Sequence, residues 1–383
     1  MATQRKPKGK KKLIRHNTAA TQEKHRADWL PLAPNELGIV ADRRIMPRDE
    51  NQRRQGIEAA SARAIDEVFD DSAWENAAAA SDHRLGIVIE VSQGLCRAAV
   101  DSHNVLCDIR GTLTAEGTGY TNVVAVGDRV LVSLPEPDHG WVEDVLPRRS
   151  ALARPDSFSR HLKQVIAANV DQLLIVASWR EPPIWLGLID EYLIAAARNN
   201  LDAVICVNKI DLAEDVAECR ATVQPYLDLG HRLIFTSAVT HAGLDDLRSA
   251  LHNRSTVLAG LSGVGKSSLL SAIEPGLQLR AKTVSQKSKE GRHVTTQAIM
   301  LPLSSGGYVV DTPGIRELGL RGLRKGDLIE FYPEIEAAAA HCRFGDCSHV
   351  NEQECGVKVA VTEGKVAEWR YENYKKLYNR LPA

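Results

Sequence analysis

The sequence contains no uninterrupted apolar run approaching the ~20 residues a helix needs to cross a bilayer, which excludes a membrane-spanning helix. No apolar segment follows its basic N-terminus, so no secretory leader is expected. Internal repeats are absent. Net charge is nearly absent too: 48 Lys and Arg stand against 49 Asp and Glu, for a formal −1. Spread evenly, that balance would argue against a polyanionic partner. Cysteine occurs in an odd number, seven, which without a leader reads as a reduced, cytosolic chain. What is present is bulk. A chain of 383 residues that is 44% hydrophobic can bury a sizeable core, so a wholly disordered protein is excluded. The length suggests two or three domains of roughly 100–200 residues each.

The charge is not spread evenly. Residues 1–26 hold nine Lys or Arg (Arg5, Lys6, Lys8, Lys10, Lys11, Lys12, Arg15, Lys24 and Arg26) against the single acid Glu23. That tail carries +8, and the remainder must therefore carry −9 to reach −1. A basic block beside an acidic body reads either as an arm that seeks nucleic acid or an anionic surface, or as a solvated tail without a partner. Residues 50–80 place Ile57, Ala60, Ala64, Ile65 and Val68 at helical spacing, followed by a linker at Ala77–Ser81.

From Leu85 the pattern changes. Five short runs rich in β-branched residues start at Gly86, Leu95, Val105, Asp128 and Gly140, separated by Gly, Asn and Asp. Five strands in ~65 residues suggest a small closed barrel of the OB kind. Beyond Val165 apolar runs at Gln172–Ser178, Ala203–Asn208, Arg232–Ser237, Thr256–Gly260, Ala298–Leu303 and Tyr308–Asp311 alternate with helical patterns, including Leu186–Asn199 and Leu244–His252. That alternation implies a mostly parallel sheet covered by helices. After Asp311 the chain reads as helical around a cysteine cluster.

Gly260-Leu261-Ser262-Gly263-Val264-Gly265-Lys266-Ser267 satisfies G-x-x-x-x-G-K-[ST] between a strand and a helix opening at Ser268. Gly260, Gly263 and Gly265 let backbone N–H groups close around phosphates, and the helix adds its partial positive end. Lys266 reaches the β and γ phosphates, and Ser267 supplies a hydroxyl to Mg²⁺. Asn208-Lys209-Ile210-Asp211 ends a strand and names the base. A buried carboxylate at Asp211 accepts from guanine N1–H and N2, a donor pair adenine lacks. Asn208 would hold the base and the neighbouring loop, and the stem of Lys209 would cover the ring. Ser237-Ala238 ends another strand, with the Ala238 N–H set for guanine O6. Asp311-Thr-Pro-Gly314 offers a second Mg²⁺ contact through water at Asp311 and a γ-phosphate sensor at the Gly314 N–H. The polar stretch around Lys282–Lys289 leads to Gly291-Arg-His-Val-Thr-Thr296, where Thr295 or Thr296 is the expected Mg²⁺ ligand, with Thr296 favoured.

The order of these motifs is unusual. A small G protein runs P-loop, switch Thr, D-x-x-G, N-K-x-D, S-A. Here N-K-x-D and S-A precede the P-loop, and D-T-P-G comes last. In this the chain resembles the circularly permuted GTPases and, over residues 85–383, the bacterial GTPases that depend on the small ribosomal subunit. Ras-like proteins orient water with a Gln just after D-x-x-G; here Ile315 stands there. The resemblance implies a switch-region His as catalyst instead, which falls on His293, alongside Lys266 and Thr296. The family stretch often reads His followed by three Thr, and Val294 departs from it. A lone loop His is also commonly just exposed, and both readings stand.

Cys342, Cys347, His349 and Cys355 form C-x4-C-x-H-x5-C. Three thiolates and an imidazole suit one closed, structural Zn²⁺, and the spacing agrees with the resembled family. A cluster of buried thiols or a disulfide is the alternative. His341 is adjacent but outside the pattern. A helix expected over Glu363–Leu381 interleaves basic residues with Trp369, Tyr371, Tyr374 and Tyr378, either to contact RNA or to pack inward. Cys96, Cys107, Cys206 and Cys219 read as buried structural thiols.

The fold class expected is multi-domain α+β: an N-terminal extension (1–84), an OB-like barrel (85–150), a circularly permuted P-loop GTPase domain (151–318) and a helical zinc-binding domain (319–383). The resemblance implies a cytoplasmic, monomeric GTP hydrolase that binds GTP or GDP with Mg²⁺ and one structural Zn²⁺. It implies action in late maturation of the small (30S) subunit, with rRNA gripped by the flanking domains, the basic tail adding salt-dependent affinity, and no membrane partner. Ser268, following Ser267, completes the expected nucleotide contacts. A GTP-gated protein-binding switch independent of the ribosome is the alternative.

Overall fold

The computed structural model describes residues 82–92, 94–101, 103–111, 113, 120–155, 163–275, 298–312 and 320–382. The basic tail, the expected helix over 50–80 and its linker, the stretch Gly291–Thr296 with His293, Thr295 and Thr296, and Gly314 lie outside the described residues.

Five strands form the barrel: β1 (His83–Ser92), β2 (Leu95–Val100), β3 (His103–Ile109), β4 (Arg129–Ser133) and β5 (His139–Val145). Small and β-branched residues line the buried faces, so Val88, Ala98, Val100, Val105, Val130, Val132 and Val142 fill the interior. Closure follows from β1, which pairs antiparallel with both β2 and β4, while β3 pairs β5 and β5 pairs β4. A bulge between Val88 and Glu90 bends β1 so that it can serve both neighbours.

A hairpin of β6 (Ala151–Pro155) and β7 (Lys163–Ala168) comes next. Its alanines and Arg154 provide no β-branched run, which is why no strand is legible there. The hairpin reaches the barrel at Gly127, whose φ is +88° and where a Cβ would stand 2.1 Å from the Ala168 carbonyl oxygen.

The second sheet runs through β8 (Gln172–Ser178), β9 (Asp202–Asn208), β10 (Arg232–Phe235), β11 (Ser255–Ala259), β12 (Ile299–Pro302) and β13 (Tyr308–Asp311), in the spatial order β10-β9-β8-β11-β13-β12. All pairs are parallel except β12 with β13. Each expected strand is present, with ends shifted by at most two residues. A bridge between Glu90 and Ile299 makes this sheet continuous with the barrel. Helices α1 (Leu186–Arg198), α2 (Val216–Asp228), α3 (Leu244–Leu251) and α4 (Lys266–Ile273) connect the strands. Leu173, Ile175, Ile205 and Val257 pack against α1 and α2, and Leu174, Leu258 and Val309 pack against α3 and α4.

The C-terminal segment holds three helices, α5 (Pro333–Ala339), α6 (Gly356–Thr362) and α7 (Glu368–Arg380), and its core of Leu328, Tyr332, Ile335, Val357, Tyr374 and Leu377 includes Ile194 from α1. The helix expected from Glu363 starts only at Glu368. Gly364, at φ +74°, turns the chain into the left-handed region and separates α6 from α7. Among the described residues, no helix is long and apolar enough to cross a membrane.

Candidate functional site

The loops at the C-terminal ends of β9, β10, β11 and β13 carry the expected nucleotide motifs, which is where an open parallel sheet binds ligands. The P-loop follows β11. At Gly260 a Cβ would stand 2.2 Å from the Val176 carbonyl oxygen, and at Gly265 another would stand 2.3 Å from the Asn208 Nδ2, so neither position admits a side chain. Gly263 and Gly265 also take φ of +84° and +96°. Gly265 caps α4, which opens at Lys266, two residues earlier than the apolar pattern alone implies. Lys266 Nζ donates to the carbonyls of Gly260 (2.8 Å) and Leu261 (2.7 Å), which folds the ammonium back over its own loop. Val264 is buried, while Ser262, Ser267 and Ser268 are exposed and Leu261 half-buried.

Asn208 ties the base loop to the phosphate loop. Its Nδ2 donates to the Val264 carbonyl (2.8 Å), and its Oδ1 accepts from Thr236 Oγ1 (3.1 Å). Both ends of the amide are thus engaged by protein, so of its two expected roles the one observed is holding loops. Thr236 has no part in the expected contact set, yet it is fully buried and lies 3.3 Å from the Cys206 Sγ. Lys209 sits in the left-handed region, with Nζ donating to the Glu181 carbonyl. Asp211 lies in a short 3-10 turn and is exposed, not buried. Ser237 is buried and accepts through Oγ from the Val239 and Thr240 N–H groups, shaping the loop that presents the half-buried Ala238. Asp311 ends β13, which pairs directly with β11 at Leu258.

Cys342, Cys347, His349 and Cys355 converge, with their ligand atoms all within 4.8 Å of one another. A zinc ion takes Zn–S of about 2.3 Å and Zn–N of about 2.0–2.1 Å at tetrahedral angles, giving S···S edges near ~3.8 Å and S···N edges near ~3.5 Å. The observed Cys342–Cys355 separation is 3.9 Å, and His349 Nδ1 lies 3.4 Å from Cys342 Sγ and 3.6 Å from Cys355 Sγ. The residues fit a tetrahedral cation. Gly356 N donates to Cys342 Sγ at 3.3 Å. Burial pushes the Cys347 thiol up to about 12, so a cation is needed to hold it ionised. Burial likewise lowers His349, favouring the neutral ring that a metal requires. The spacing leaves open which ring nitrogen binds; here Nδ1 is the one that faces the sulfurs. His341 is exposed and outside the group. Chelation at neutral pH should unfold the three-helix segment while the parallel sheet stays folded, read as a drop in helical circular dichroism. Unchanged ellipticity after the chelator has removed the bound cation would count against a folding role for the site.

The basic and aromatic side chains of α7 turn mostly inward. Tyr371 donates to the His349 carbonyl (2.7 Å), and Trp369 packs on Tyr226 of α2. Lys375 pairs with Glu372 and Arg380 with Glu191. Arg370 is buried between Asp190 of α1 (2.7 Å) and Glu334 of α5 (2.7 Å). Asp190 also accepts from Tyr226 (2.7 Å) and Asn373 (3.0 Å). Burial opposes the Arg370 charge, but the two carboxylates outweigh it and hold the guanidinium above its usual value. This cluster is absent from the expected site. Its one sequence signal is a paired acid, Asp190-Glu191, inside the apolar run of α1.

A P-loop on β11, guanine-type loops on β9 and β10, and an acidic loop on β13, met in that permuted order and preceded by an OB-like barrel, define a circularly permuted GTPase. The RsgA GTPase family model matches residues 145–321. A "Small ribosomal subunit biogenesis GTPase RsgA" from Thermotoga maritima is 38% identical over 302 residues, spanning 78% of this chain and 97% of that relative. The chain belongs to the RsgA GTPase family, whose members hydrolyse GTP. A similarly named protein from Gemmatimonas aurantiaca is 37% identical over 77% of this chain and 97% of its own length. Among solved structures, YjeQ from Thermotoga maritima superposes with a TM-score of 0.63 at 36% identity, covering 78% of this chain and 98% of that one. YloQ, described as a circularly permuted GTPase, gives 0.58 at 27% identity, covering 78% and 94%.

Proposed function

We propose that the chain is a GTP-driven switch in late maturation of the small ribosomal subunit. The observation that carries this reading is the single loop edge where Asn208 joins the base loop to the P-loop, set within a chain that matches nearly the whole length of the named relatives. In this reading the extension (1–84), the barrel (85–150), the GTPase domain (151–318) and the zinc domain (319–383) are separate modules. The barrel and zinc domain hold rRNA on either side, and the protein works as a cytoplasmic monomer.

Asp211 and the Ala238 N–H read guanine, Lys209 covers its face, and the N–H groups of residues 260–268 hold the phosphates. Ser267, Thr296 and Asp311 would hold Mg²⁺, which would supply positive charge against the phosphate oxygens. Lys266 leaves the Gly260 and Leu261 carbonyls to meet the β and γ phosphates. The Gly314 N–H senses the γ-phosphate, and its release loosens the grip on RNA. The Cys₃His cluster would hold a structural Zn²⁺, since four protein ligands would leave no position for substrate.

Purified small subunits should raise the slow intrinsic GTP turnover severalfold, and the protein should co-sediment with them in the presence of a GTP analogue. Absence of both effects would overturn the reading. GTP-dependent capture of a protein partner that resists nuclease and high salt would point to a ribosome-independent switch instead. His293→Ala should lower stimulated turnover by about 10²–10⁴-fold at unchanged GTP affinity if it orients or activates water. Equal turnover removes it from the mechanism.

A further inference from the structure

Two of the four thiols outside the metal cluster face each other. Cys96 on β2 and Cys107 on β3 are directly opposed across the antiparallel ladder, and both are fully buried in the barrel core. Directly opposed residues of such a ladder have Cα atoms about 4.5–5.5 Å apart. A disulfide spans roughly 4.4–6.8 Å between Cα atoms. The Ile109 N–H donates to the Gly94 carbonyl, which makes Cys96 and Cys107 a hydrogen-bonded pair at the wide end of the ladder spacing, so the Cα distance admits a bridge once the two strands draw their side chains together. Cys107 Sγ contacts the Val105 carbonyl at 3.9 Å. Cys206, by contrast, is engaged by Thr236, and Cys219 lies on α2, away from both. Among the described residues, no further His, Cys, Asp or Glu completes a metal-binding group with Cys96 and Cys107. Chemistry between the two sulfurs themselves is what the arrangement permits.

We propose that Cys96 and Cys107 form an oxidisable dithiol, a modification site whose co-reactant is a small disulfide such as oxidised glutathione. The exchange can begin at either sulfur, here Cys107. Cys107 loses its proton and attacks the small disulfide, expelling one thiolate. Cys96 then loses its proton and attacks the Cys107 sulfur of the mixed disulfide, expelling the second. The two cysteines are oxidised to one S–S bond, the small disulfide is reduced to two thiols, and these take up the two protons. Burial confines the reaction to moments when the β2–β3 ribbon opens. The product staples that ribbon and restricts the unfolded chain, so the oxidised barrel is the more stable form.

The test uses the full-length chain incubated with oxidised glutathione, then digested with trypsin under non-reducing conditions. Cleavage after Arg84, Arg97 and Arg110 places Cys96 in the peptide 85–97 and Cys107 in 98–110. The expected product is the two peptides joined and two hydrogens lighter than their sum, separating on reduction, with the barrel melting a few degrees higher. Finding both peptides free, or each carrying glutathione, would overturn the proposal. So would an equal melting shift on oxidation of Cys96→Ala. Should that variant fail to fold, the peptide map of the unaltered chain decides alone.

Discussion

Arg370→Ala should lower unfolding stability by about 3–5 kcal/mol, the usual cost of removing one partner from a buried ion pair. Asp190 is 1% exposed and Arg370 2% exposed, so water cannot replace the lost guanidinium. The deletion strands the Asp190 and Glu334 carboxylates together in a region of low dielectric. It also removes the cation that lies 4.5 Å from the Tyr332 ring and 5.5 Å from the Tyr226 ring. Arg370→Met combined with Asp190→Asn and Glu334→Gln should lose much less, since it removes all three charges and keeps most of the volume. Urea unfolding followed by tryptophan fluorescence measures both variants. A loss below about 1 kcal/mol for Arg370→Ala would show that the cluster tolerates an unpaired acid, and would sink its role in joining α1 to α5 and α7.

Lys266→Ala should reduce GTP turnover by about 10²–10³-fold, with or without small subunits, because a single pre-aligned donor to developing phosphate charge is worth about that much. The loop itself should survive. Asn208 and Gly265 shape it through contacts that do not involve the lysine side chain, and α4 keeps its glycine cap. The thermal melt should therefore stay near that of the unaltered protein while turnover falls. Turnover within tenfold of the unaltered protein would remove Lys266 from the reaction.

The nucleotide motifs were legible because each is a contiguous stretch with a local purpose. The P-loop needs glycines at set positions, then a helix, and all of that is written in eight consecutive residues. Barrel strands were legible where β-branched residues alternate, and β6 with β7 were not, because alanine carries little strand signal. The metal ligands could be named from spacing and softness, but the choice of Nδ1 depends on how His349, in the left-handed region at φ 63°, presents its ring. The aromatic stripe of α7 allowed RNA contact or packing, and the contacts of Trp369, Tyr371 and Tyr374 favour packing.

By itself the sequence determined the permuted order of the GTPase motifs, the barrel before them and the Cys₃His group after, since each depends on residue type and short spacing. Only the tertiary structure decided that Asn208 meets Val264 across 56 residues, that Arg370 meets Asp190 across 180, and that Cys96 faces Cys107 in register. Such pairs follow from strand order and helix docking. Hydrophobic periodicity shows which face of an element is buried, but not which distant side chain it is buried against.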